Sequence, residues 1–281
     1  MDQLTGKVAV ITGAASGIGA ALAIALDKEG MQLVLVDVES LEDLSRRLKG
    51  EPLVFELDVS DADAMMKLGS AVYERHDNVH LLINNAGVMG PMAPSWELEP
   101  SDWDWVLNVN VKGIANGIRA FVPAMLAQDD PSHIVNTASE ASFAARAFVG
   151  VYHASKHAVL ALTESLAQEL GFIEAKIRVS VLCPGAVNTA VMYADRNRPQ
   201  ALSRISETKE TGNRLLDVYR RSLDHGMSPA QVAETVIDGI KANRFYLLPH
   251  PDVADLPAKR AEAVRSDIYP TFDADLARLV R

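Results

Sequence analysis

The chain has 281 residues, of which 48% are hydrophobic and 23% charged, and its formal net charge is −10. This composition is typical of a folded globular protein rather than a disordered chain, and the negative charge argues against nucleic acid or an anionic membrane surface as a partner. The one cysteine, Cys183, excludes an intramolecular disulfide. The first residues lack a signal-peptide pattern and no apolar run is long enough to span a bilayer, so we expect a cytoplasmic protein with no membrane segment.

Short segments rich in β-branched residues alternate along the chain with longer segments in which apolar residues recur at helical spacing. The predicted strands are residues 7–12, 32–37, 53–57, 81–84, 134–136, 177–182 and, as a seventh, 245–248. Strands that are apolar on both faces and separated by helices form parallel sheets covered on both sides. The pattern therefore predicts an α/β fold with a doubly wound, mostly parallel, seven-stranded sheet of the Rossmann type.

The chain beyond residue 190 departs from this alternation. Residues 193–223 are polar and charged and are interrupted by Pro199 and Gly212, which predicts small helices outside the sheet. We expect residues 1–250 to form a single domain, with residues 190–226 as a small helical lid over the substrate. Residues 251–281 are predicted to form a C-terminal arm.

A glycine-rich turn follows the first predicted strand and leads directly into a predicted helix. Its glycines, Gly13, Gly17 and Gly19, have the spacing G-x-x-x-G-x-G, which differs from the G-x-G-x-x-G of the general dinucleotide fingerprint. Glycines let the backbone approach a ligand closely, and the N-terminus of the following helix attracts a pyrophosphate. The turn is therefore a candidate phosphate site; the alternative is that it only packs a helix on the sheet.

The second predicted strand ends at Asp37. A carboxylate in this place can accept hydrogen bonds from the adenosine ribose and would repel a 2′-phosphate, and neither Ser16 nor Val38 provides a basic side chain to neutralise that phosphate. The sequence therefore favours NAD over NADP. The alternative is that Asp37 caps the next helix.

Tyr152 and Lys156 lie four residues apart at the start of a predicted helix, so their side chains share one helix face. A phenol is a weak base at neutral pH, but a nearby cation favours the phenolate, and the pair is therefore a candidate acid/base group. Ser139 lies thirteen residues before Tyr152 at the end of a predicted strand, where ligands bind in open α/β sheets. The spacing favours Ser139 over the nearby Ser142 as the serine of the site.

The order of these motifs resembles the short-chain dehydrogenase/reductase family over residues 6–190. The matching positions are Gly13, Gly17 and Gly19 of the glycine motif, Asp58-Val59, the N-N-A-G motif Asn84-Asn85-Ala86-Gly87, Asn110, Ser139, the Y-x-x-x-K pair Tyr152 and Lys156, and Pro184-Gly185 followed by Thr189. The resemblance implies an oxidoreductase that transfers a hydride between a nicotinamide cofactor and an alcohol or carbonyl group. It also implies a homodimer or homotetramer built through helices that begin near Ser101 and Tyr152.

The resemblance implies a role for each residue of a Ser-Tyr-Lys-Asn site. Tyr152 takes the proton of the alcohol, Lys156 lowers the pKa of that tyrosine and binds the nicotinamide ribose, Ser139 binds the substrate oxygen, and Asn110 holds a water that relays protons from Lys156. The predicted cofactor-binding residues are Gly13, Ser16, Gly17, Ile18, Gly19, Asp37, Asp58, Val59, Asn85, Ala86, Gly87, Tyr152, Lys156, Pro184, Gly185, Val187 and Thr189.

The predicted substrate site is mostly apolar, as ligand pockets generally are. Its predicted residues are Ser139, Tyr152, Met89, Phe143, Met192 and Tyr193, which favours a hydrophobic secondary alcohol or ketone as the small-molecule partner. Glu140 and Arg146 lie between Ser139 and Tyr152, and each either faces solvent or contacts a polar substrate. The sequence has no His, Cys, Asp or Glu cluster at metal-ligand spacing, so we predict no catalytic metal.

Three other functions remain open at this point. The first is an NADP-dependent carbonyl reductase, which the argument from Asp37 disfavours. The second is a catalytically silent, dinucleotide-sensing protein, which the complete set of Ser139, Tyr152, Lys156 and Asn110 disfavours. The third is a dehydratase or epimerase, whose relatives are usually longer and have a different glycine pattern.

Overall fold

The computed structural model describes residues 3–128, 130–206 and 210–272. Seven strands form one sheet in the order β3-β2-β1-β4-β5-β6-β7, and all of the pairs are parallel. The strands are β1 (Val8–Thr12), β2 (Gln32–Asp37), β3 (Leu53–Glu56), β4 (Leu81–Asn84), β5 (Ser132–Thr137), β6 (Ile177–Leu182) and β7 (Tyr246–Leu247). The predicted doubly wound α/β fold is confirmed.

Helices cover both faces of the sheet. They are α1 (Gly17–Lys28), α2 (Glu42–Ser45), α3 (Ala62–Tyr73), α4 (Pro100–Leu107), α5 (Gly113–Ala127), α6 (Gly150–Phe172), α7 (Glu210–Asp224), α8 (Pro229–Lys241) and α9 (Leu256–Arg265). Helices α1 and α8 pack on one face, and α3, α5 and α6 pack on the other. None of the helices in the described ranges combines the length and the apolar character that crossing a bilayer requires.

Strand β1 shows why the apolar runs in the sequence are continuous. Ala9 and Ile11 pack in the core under α1 and α8, whereas Val8 and Val10 pack in the core under α3 and α5. Successive side chains of a strand point to opposite faces, so a strand covered on both sides needs apolar residues at every position. The same arrangement buries the sheet centre and leaves the carboxyl ends of the strands for a ligand.

The chain order reverses between β1 and β4. From β1 the chain runs through α1 to β2 on one side, and it later returns from β3 through α3 to β4 on the other side. The loops after β1 and β4 therefore diverge and leave a crevice at the carboxyl edge of the sheet, which is where open α/β sheets bind ligands.

The first half of the predicted lid is tied to the main body by charged side chains. Arg196 and Asn197 contact Glu39 after β2, and Arg198 and Arg204 form ion pairs with the fully buried Asp102 of α4. The polar composition of this segment is therefore explained by fixed partners in the main body rather than by solvent alone.

The second half of the lid is the amphipathic helix α7. Its Leu215 is 1% exposed and belongs to an apolar cluster with Met92, Val149 and Met192. The helix consequently forms part of the cavity wall, which its residues Tyr219, Ser222 and Leu223 line. The assignment of residues 190–226 as a substrate lid stays a prediction.

The chain beyond residue 250 does not leave the domain immediately. The imidazole of His250 accepts a hydrogen bond from the Gly185 N–H and donates one to the Ala186 carbonyl. Val253 is 1% exposed and packs with Cys183, whereas no residue of α9 is buried. A domain boundary at residue 250 stays a prediction, and the burial of Val253 argues for a later one.

Candidate active site

One large cavity lies at the carboxyl edge of the sheet where the chain order reverses. It is lined by residues of the loops after β1, β2, β3, β4, β5 and β6, by the start of α6 and by the lid. The predicted site residues that line it are Gly13, Ser16, Gly17, Ile18, Asp37, Asp58, Val59, Asn85, Ala86, Gly87, Met89, Ser139, Tyr152, Lys156, Pro184, Gly185, Val187, Thr189 and Met192. The predicted residues that do not line it are Gly19, Asn110, Phe143 and Tyr193.

The glycine turn is packed against the loop after β4. A Cβ at Gly13 would lie 2.7 Å from the Ala86 Cα, and a Cβ at Gly19 would lie 2.0 Å from the Gly13 carbonyl oxygen. Side chains at these positions are therefore excluded by backbone contacts. Gly19 does not line the cavity. Its missing side chain instead leaves room for the Gly13 carbonyl within the turn.

Thr12 and Asn85 hold the same two loops together. The Thr12 hydroxyl accepts hydrogen bonds from the N–H groups of Asn85 and Ala86 at 2.9 and 3.1 Å. In the other direction, the Asn85 amide donates to the carbonyls of Thr12 and Gly13 at 3.1 and 3.2 Å. These bonds explain why a threonine precedes the glycines and why an asparagine opens the loop after β4.

Asp37 braces the glycine turn and also lines the cavity. Its carboxylate accepts hydrogen bonds from the Ala15 N–H at 2.8 Å and from the Glu39 N–H at 3.0 Å. It does not cap α2, because Leu41 is the N-cap residue of that helix. Carboxylate oxygens have about four acceptor positions in total, so Asp37 retains acceptor capacity for a ligand in the cavity.

Tyr152, Lys156 and Ser139 converge in the cavity. The Lys156 ammonium lies 5.7 Å from the centre of the Tyr152 ring and donates a hydrogen bond to the Thr137 carbonyl at 2.9 Å. Ser139 is 7% exposed and is the N-cap of a short 3-10 turn, where its hydroxyl accepts from the Ala141 N–H at 3.1 Å. Of the two candidate serines, Ser139 lines the cavity and Ser142 does not. The Ser142 hydroxyl donates a hydrogen bond to the Lys156 carbonyl in the protein interior.

Burial changes the acidity of the two ionisable groups in opposite senses. It lowers the pKa of Lys156 to about 8, because removal from water disfavours the ammonium ion. It raises the pKa of Tyr152 for the corresponding reason, and the negative charge of Glu140 adds to that effect, while a hydrogen bond with Ser139 acts against it. The phenol is therefore protonated at neutral pH.

Asn110 lies outside the cavity, in a single π-helical turn (Asn108–Lys112) between α4 and α5. Its side-chain oxygen accepts from the Val88 N–H at 2.8 Å, and its amide donates to the Val88 carbonyl and to the Ser155 hydroxyl, both at 2.9 Å. The side chain thus connects the loop after β4 to α6 between Tyr152 and Lys156. These bonds use both amide donors and position Asn110 to orient the neighbouring loops. Its role in holding a relay water stays a prediction.

Two predicted substrate residues lie away from the cavity. Phe143 packs with Val159, Cys183 and Val253 in a separate apolar cluster, because the 3-10 turn after Ser139 directs it away from the cavity. Tyr193 is 52% exposed, and the Arg220 guanidinium lies 4.3 Å from the centre of its ring. The prediction that Phe143 and Tyr193 line the substrate site is therefore wrong, because neither side chain lines the cavity.

Glu140 and Arg146 both line the cavity and form an ion pair with each other at 3.2 Å. The imidazole of His153 donates to the Ala141 carbonyl at 3.1 Å and accepts from the Arg146 N–H at 3.2 Å. It thereby fastens the loop that follows Ser139 to α6. Since Glu140 already neutralises Arg146, the arrangement does not favour an acidic substrate there.

Several cavity residues were not foreseen from the sequence. On α7 they are Tyr219, Ser222 and Leu223, and on the preceding lid segment they are Val191, Arg196 and Asn197. The apolar positions of α7 recur at helical spacing, which is a signal that could have found Leu223. The sequence carries no local signal for Arg196, whose partner Glu39 lies 157 positions earlier in the chain. In the described part of the chain, no three His, Cys, Asp or Glu residues are placed to hold a metal ion.

The comparison with protein families agrees with this geometry. The family model for short chain dehydrogenase matches residues 7–200. The chain belongs to the short-chain dehydrogenase/reductase family. As a member it is an oxidoreductase that uses NAD or NADP on a small-molecule substrate.

Three similar proteins illustrate the range of this short-chain dehydrogenase/reductase group. A short-chain dehydrogenase/reductase from Burkholderia phymatum, solved in complex with NAD, is 38% identical, with a TM-score of 0.94 over 97% of this chain and 99% of that one. The 1-deoxy-11-beta-hydroxypentalenate dehydrogenase of Streptomyces avermitilis is 33% identical over 89% of this chain and 87% of its own length. An alcohol dehydrogenase from the archaeon Thermococcus sibiricus, complexed with 5-hydroxy-NADP, is 27% identical, with a TM-score of 0.69 over 86% and 95% of the two chains.

Proposed function

We propose that this protein is an NAD-dependent dehydrogenase that interconverts a hydrophobic secondary alcohol and its ketone, with Tyr152 as the group that exchanges the proton. The observation that supports this most strongly is the shared cavity: Tyr152, Lys156 and Ser139 line the same space as the glycine turn and Asp37. An acid/base group and a candidate dinucleotide site are thus adjacent.

The residues of the crevice fit a nicotinamide dinucleotide. Helix α1 begins at Gly17 on the cavity wall, and its first turn contains no acidic residue, so the positive end of the helix remains available to a pyrophosphate. A Cβ at Gly17, which has a φ of +56°, would lie 3.0 Å from the Thr189 side chain and fill that space. The Gly13, Ser16, Gly17 and Ile18 backbone would hold the pyrophosphate, and Asp37 the adenosine ribose.

A bound nicotinamide cofactor would accept or donate the hydride, and residues of the protein would transfer the proton. In oxidation the Tyr152 phenolate receives the hydroxyl proton of the substrate, and in reduction the phenol returns it. Lys156, charged below its pKa of about 8, stabilises the phenolate through its positive charge. Ser139 donates to the substrate oxygen. Because burial raises the pKa of Tyr152, the oxidation rate should increase with pH and the reduction rate should decrease.

The substrate end of the cavity is apolar on several sides. Met89 lies after β4, Val149 before α6, and Val191, Met192 and Leu223 belong to the lid. Apolar walls with a few polar groups select hydrophobic ligands and orient them. The relative from Streptomyces avermitilis is named 1-deoxy-11-beta-hydroxypentalenate dehydrogenase, which supports an alcohol as the reacting group here.

The NAD assignment rests on Asp37 and on the NAD-bound relative from Burkholderia phymatum. A 2′-phosphate would meet the carboxylates of Asp37 and Glu39, which line the same part of the cavity. The rival NADP-dependent carbonyl reductase is tested by the ratio of kcat/KM for the two cofactors with one alcohol. A ratio that favours NADP would refute the NAD assignment.

The test of the mechanism is Tyr152→Phe, assayed by NADH absorbance against a panel of secondary alcohols. Loss of the hydroxyl should reduce kcat by about 10²-fold or more, since general acid/base groups contribute roughly 10²- to 10⁴-fold. Binding of NADH, measured by its fluorescence, should change little. Unchanged turnover in this variant would refute the role of Tyr152. A wild-type protein that binds NADH but turns over no alcohol or ketone in the panel would favour the dinucleotide-sensing alternative.

Oligomer formation is a second part of the proposal. Exposed apolar side chains lie together on α5 and at the end of α6, where Leu126 is 39%, Phe172 89% and Ile173 55% exposed. Ile118, Val122, Leu166 and Leu170 line the groove between the two helices. Contiguous exposed apolar surfaces of this kind are typical of protein interfaces, which supports a homodimer or homotetramer built through these helices.

A further inference from the structure

The lid is fastened to the cofactor side of the cavity at a single glutamate. The Arg196 Nε and the Asn197 Nδ2 each lie 2.6 Å from the same oxygen, Glu39 Oε1. A second nitrogen of Arg196 donates to the Tyr193 carbonyl at 2.9 Å and to the Ala190 carbonyl at 3.3 Å. We call Glu39, Arg196 and Asn197 the lid clasp, and all three residues line the cavity.

The lid clasp lies beside the carboxylate that the proposed function assigns to the adenosine ribose. The Glu39 N–H donates to Asp37 Oδ1 at 3.0 Å, and Ser16 and Val38 line the cavity next to them. Burial raises the pKa of Glu39, but the hydrogen bonds from Arg196 and Asn197 outweigh this and leave that pKa below its ordinary value. Glu39 is therefore ionised and holds Arg196 as a charged pair.

The bonds made by Arg196 decide what a cofactor phosphate would encounter there. A free guanidinium is the usual partner of a phosphate, because its planar donors bind two oxygens at once. Here Nε donates to Glu39 and Nη1 donates to two main-chain carbonyls, so each pair of donors that could bind two phosphate oxygens, Nε with Nη2 or Nη1 with Nη2, has one member in use. Two carboxylates and one engaged guanidinium leave a net charge of about −1 at this end of the cavity, which disfavours an additional anion.

We propose that Glu39 is a cofactor-selectivity residue that acts by engaging Arg196 and so withholding it from a 2′-phosphate. This inference rests on the proposed NAD preference and adds a second determinant to Asp37. The lid clasp also ties the segment Ala190–Asn197, which follows Thr189, to the far side of the cavity. Release of the lid clasp should therefore weaken retention of either cofactor to a similar degree, while a free Arg196 favours NADP specifically.

The test compares kcat/KM for NAD and NADP, with one alcohol, in the wild type and in Glu39→Gln, Arg196→Gln and the double variant. Glutamine keeps the size of glutamate and removes its charge, so Glu39→Gln should shift the NAD/NADP ratio towards NADP by about tenfold, which corresponds to about 1.4 kcal/mol. The double variant should lose most of that shift. Arg196→Gln should shift the ratio towards NAD, because it leaves the charge of Glu39 without a counter-ion and with only the hydrogen bond from Asn197. Asp195→Asn is the matched control, since Asp195 is an exposed acid on the same segment.

The outcomes separate this inference from the proposed function. The wild-type ratio tests the NAD assignment, whereas the change from wild type to Glu39→Gln tests the selectivity role whichever cofactor the wild type prefers. The inference would be overturned if the NAD/NADP ratio of kcat/KM in Glu39→Gln equalled that of the wild type or of Asp195→Asn. A double variant with the same ratio as Glu39→Gln would also overturn it, because the shift would then come from the lost charge and not from Arg196. Dissociation constants of NADH and NADPH, measured by fluorescence, provide a readout independent of turnover.

Discussion

The buried carboxylate of Asp102 anchors the lid through two ion pairs, and its removal gives a specific result. The side chain of Asp102 is 0% exposed, and its oxygens lie 2.8 Å from Arg198 and 3.0 Å from Arg204, whose side chains are 8% and 14% exposed. Asp102→Asn keeps the shape but removes the buried counter-charge of both guanidinium groups, so that Arg198 loses its ion pair and Arg204 retains only the attraction of Glu99. Removing one partner of a buried ion pair costs about 3–5 kcal/mol when the other stays buried.

The two arginines, however, belong to an outer segment that can carry them into water. Opening of this segment is therefore the expected response, and it limits the loss of global stability. A change of about 3 kcal/mol would raise the open fraction by roughly 100-fold, and cleavage by trypsin should rise in proportion, since it follows the open population when opening is fast. Peptide mapping should place the new cut after Arg204, which precedes the described end of this lid segment at residue 206; Pro199 blocks cleavage after Arg198.

The matched control is Asp104→Asn, an exposed acid on the same helix. It should leave both the cleavage rate and the melting temperature at wild-type values. Cleavage of Asp102→Asn at the wild-type rate, together with an unchanged melting temperature, would refute the claim that this carboxylate holds the lid.

Two further predictions concern stability and assembly. Burial lowers the pKa of His133 from 6.5 to about 4, so the unfolded chain binds a proton first as the pH falls, and about 3 kcal/mol of stability should be lost between pH 6.5 and 4. His133→Gln keeps a donor for the Ser180 hydroxyl, which lies 2.7 Å from the imidazole; urea unfolding at pH 7 and pH 4 should show a smaller pH dependence in this variant, and an equal dependence would contradict the assignment. Phe172→Asp places a charge on the exposed face of α6 and should convert the oligomer to smaller species in light scattering, whereas Glu174→Gln, close by on the surface, should not; a wild-type monomer would refute the proposed assembly.

The sheet could be predicted from the sequence because each buried strand carries its own signal. Strands β2, β4 and β6 have the predicted bounds. Strand β5 is longer than predicted, since its pairing with β6 extends to Ser132 at one end and Thr137 at the other, where polar residues hide the pattern. Strand β7 contains only Tyr246 and Leu247 because it is an edge strand that pairs on one side.

The site could be predicted where the residues are local and in a fixed order. The glycine turn, Ser139, Tyr152 and Lys156 come together because each follows directly from the end of a strand or the start of a helix. The predicted substrate contact of Phe143 was wrong. The direction of a side chain in a short turn is determined by packing with distant residues, which no local sequence pattern encodes. The cytoplasmic location stays a prediction.

The lid could not be predicted in detail because its partners are distant in sequence. Arg196 pairs with Glu39, and Arg198 and Arg204 pair with Asp102. A surface arginine paired in this way has the same local sequence context as one in solvent. The polar composition correctly indicated an element outside the sheet, but it carried no information about where that element is attached.

The bonds among Thr12, Gly13 and Asn85 have a consequence for how such a protein can change its substrate. The Thr12 and Asn85 side chains each bond to the main chain of the other loop, and the Gly13 and Ala86 backbones pack against each other, so most substitutions there would disturb the whole floor of the cavity at once. The opposite wall is attached through side chains such as Asp102, and each of those attachments can be exchanged alone. Substitutions should accordingly be tolerated on the lid and destabilising in the loops after β1 and β4. Substrate specificity can therefore change through residues 190–224 without loss of hydride transfer. A library confined to the lid is therefore the economical route to a redesigned enzyme.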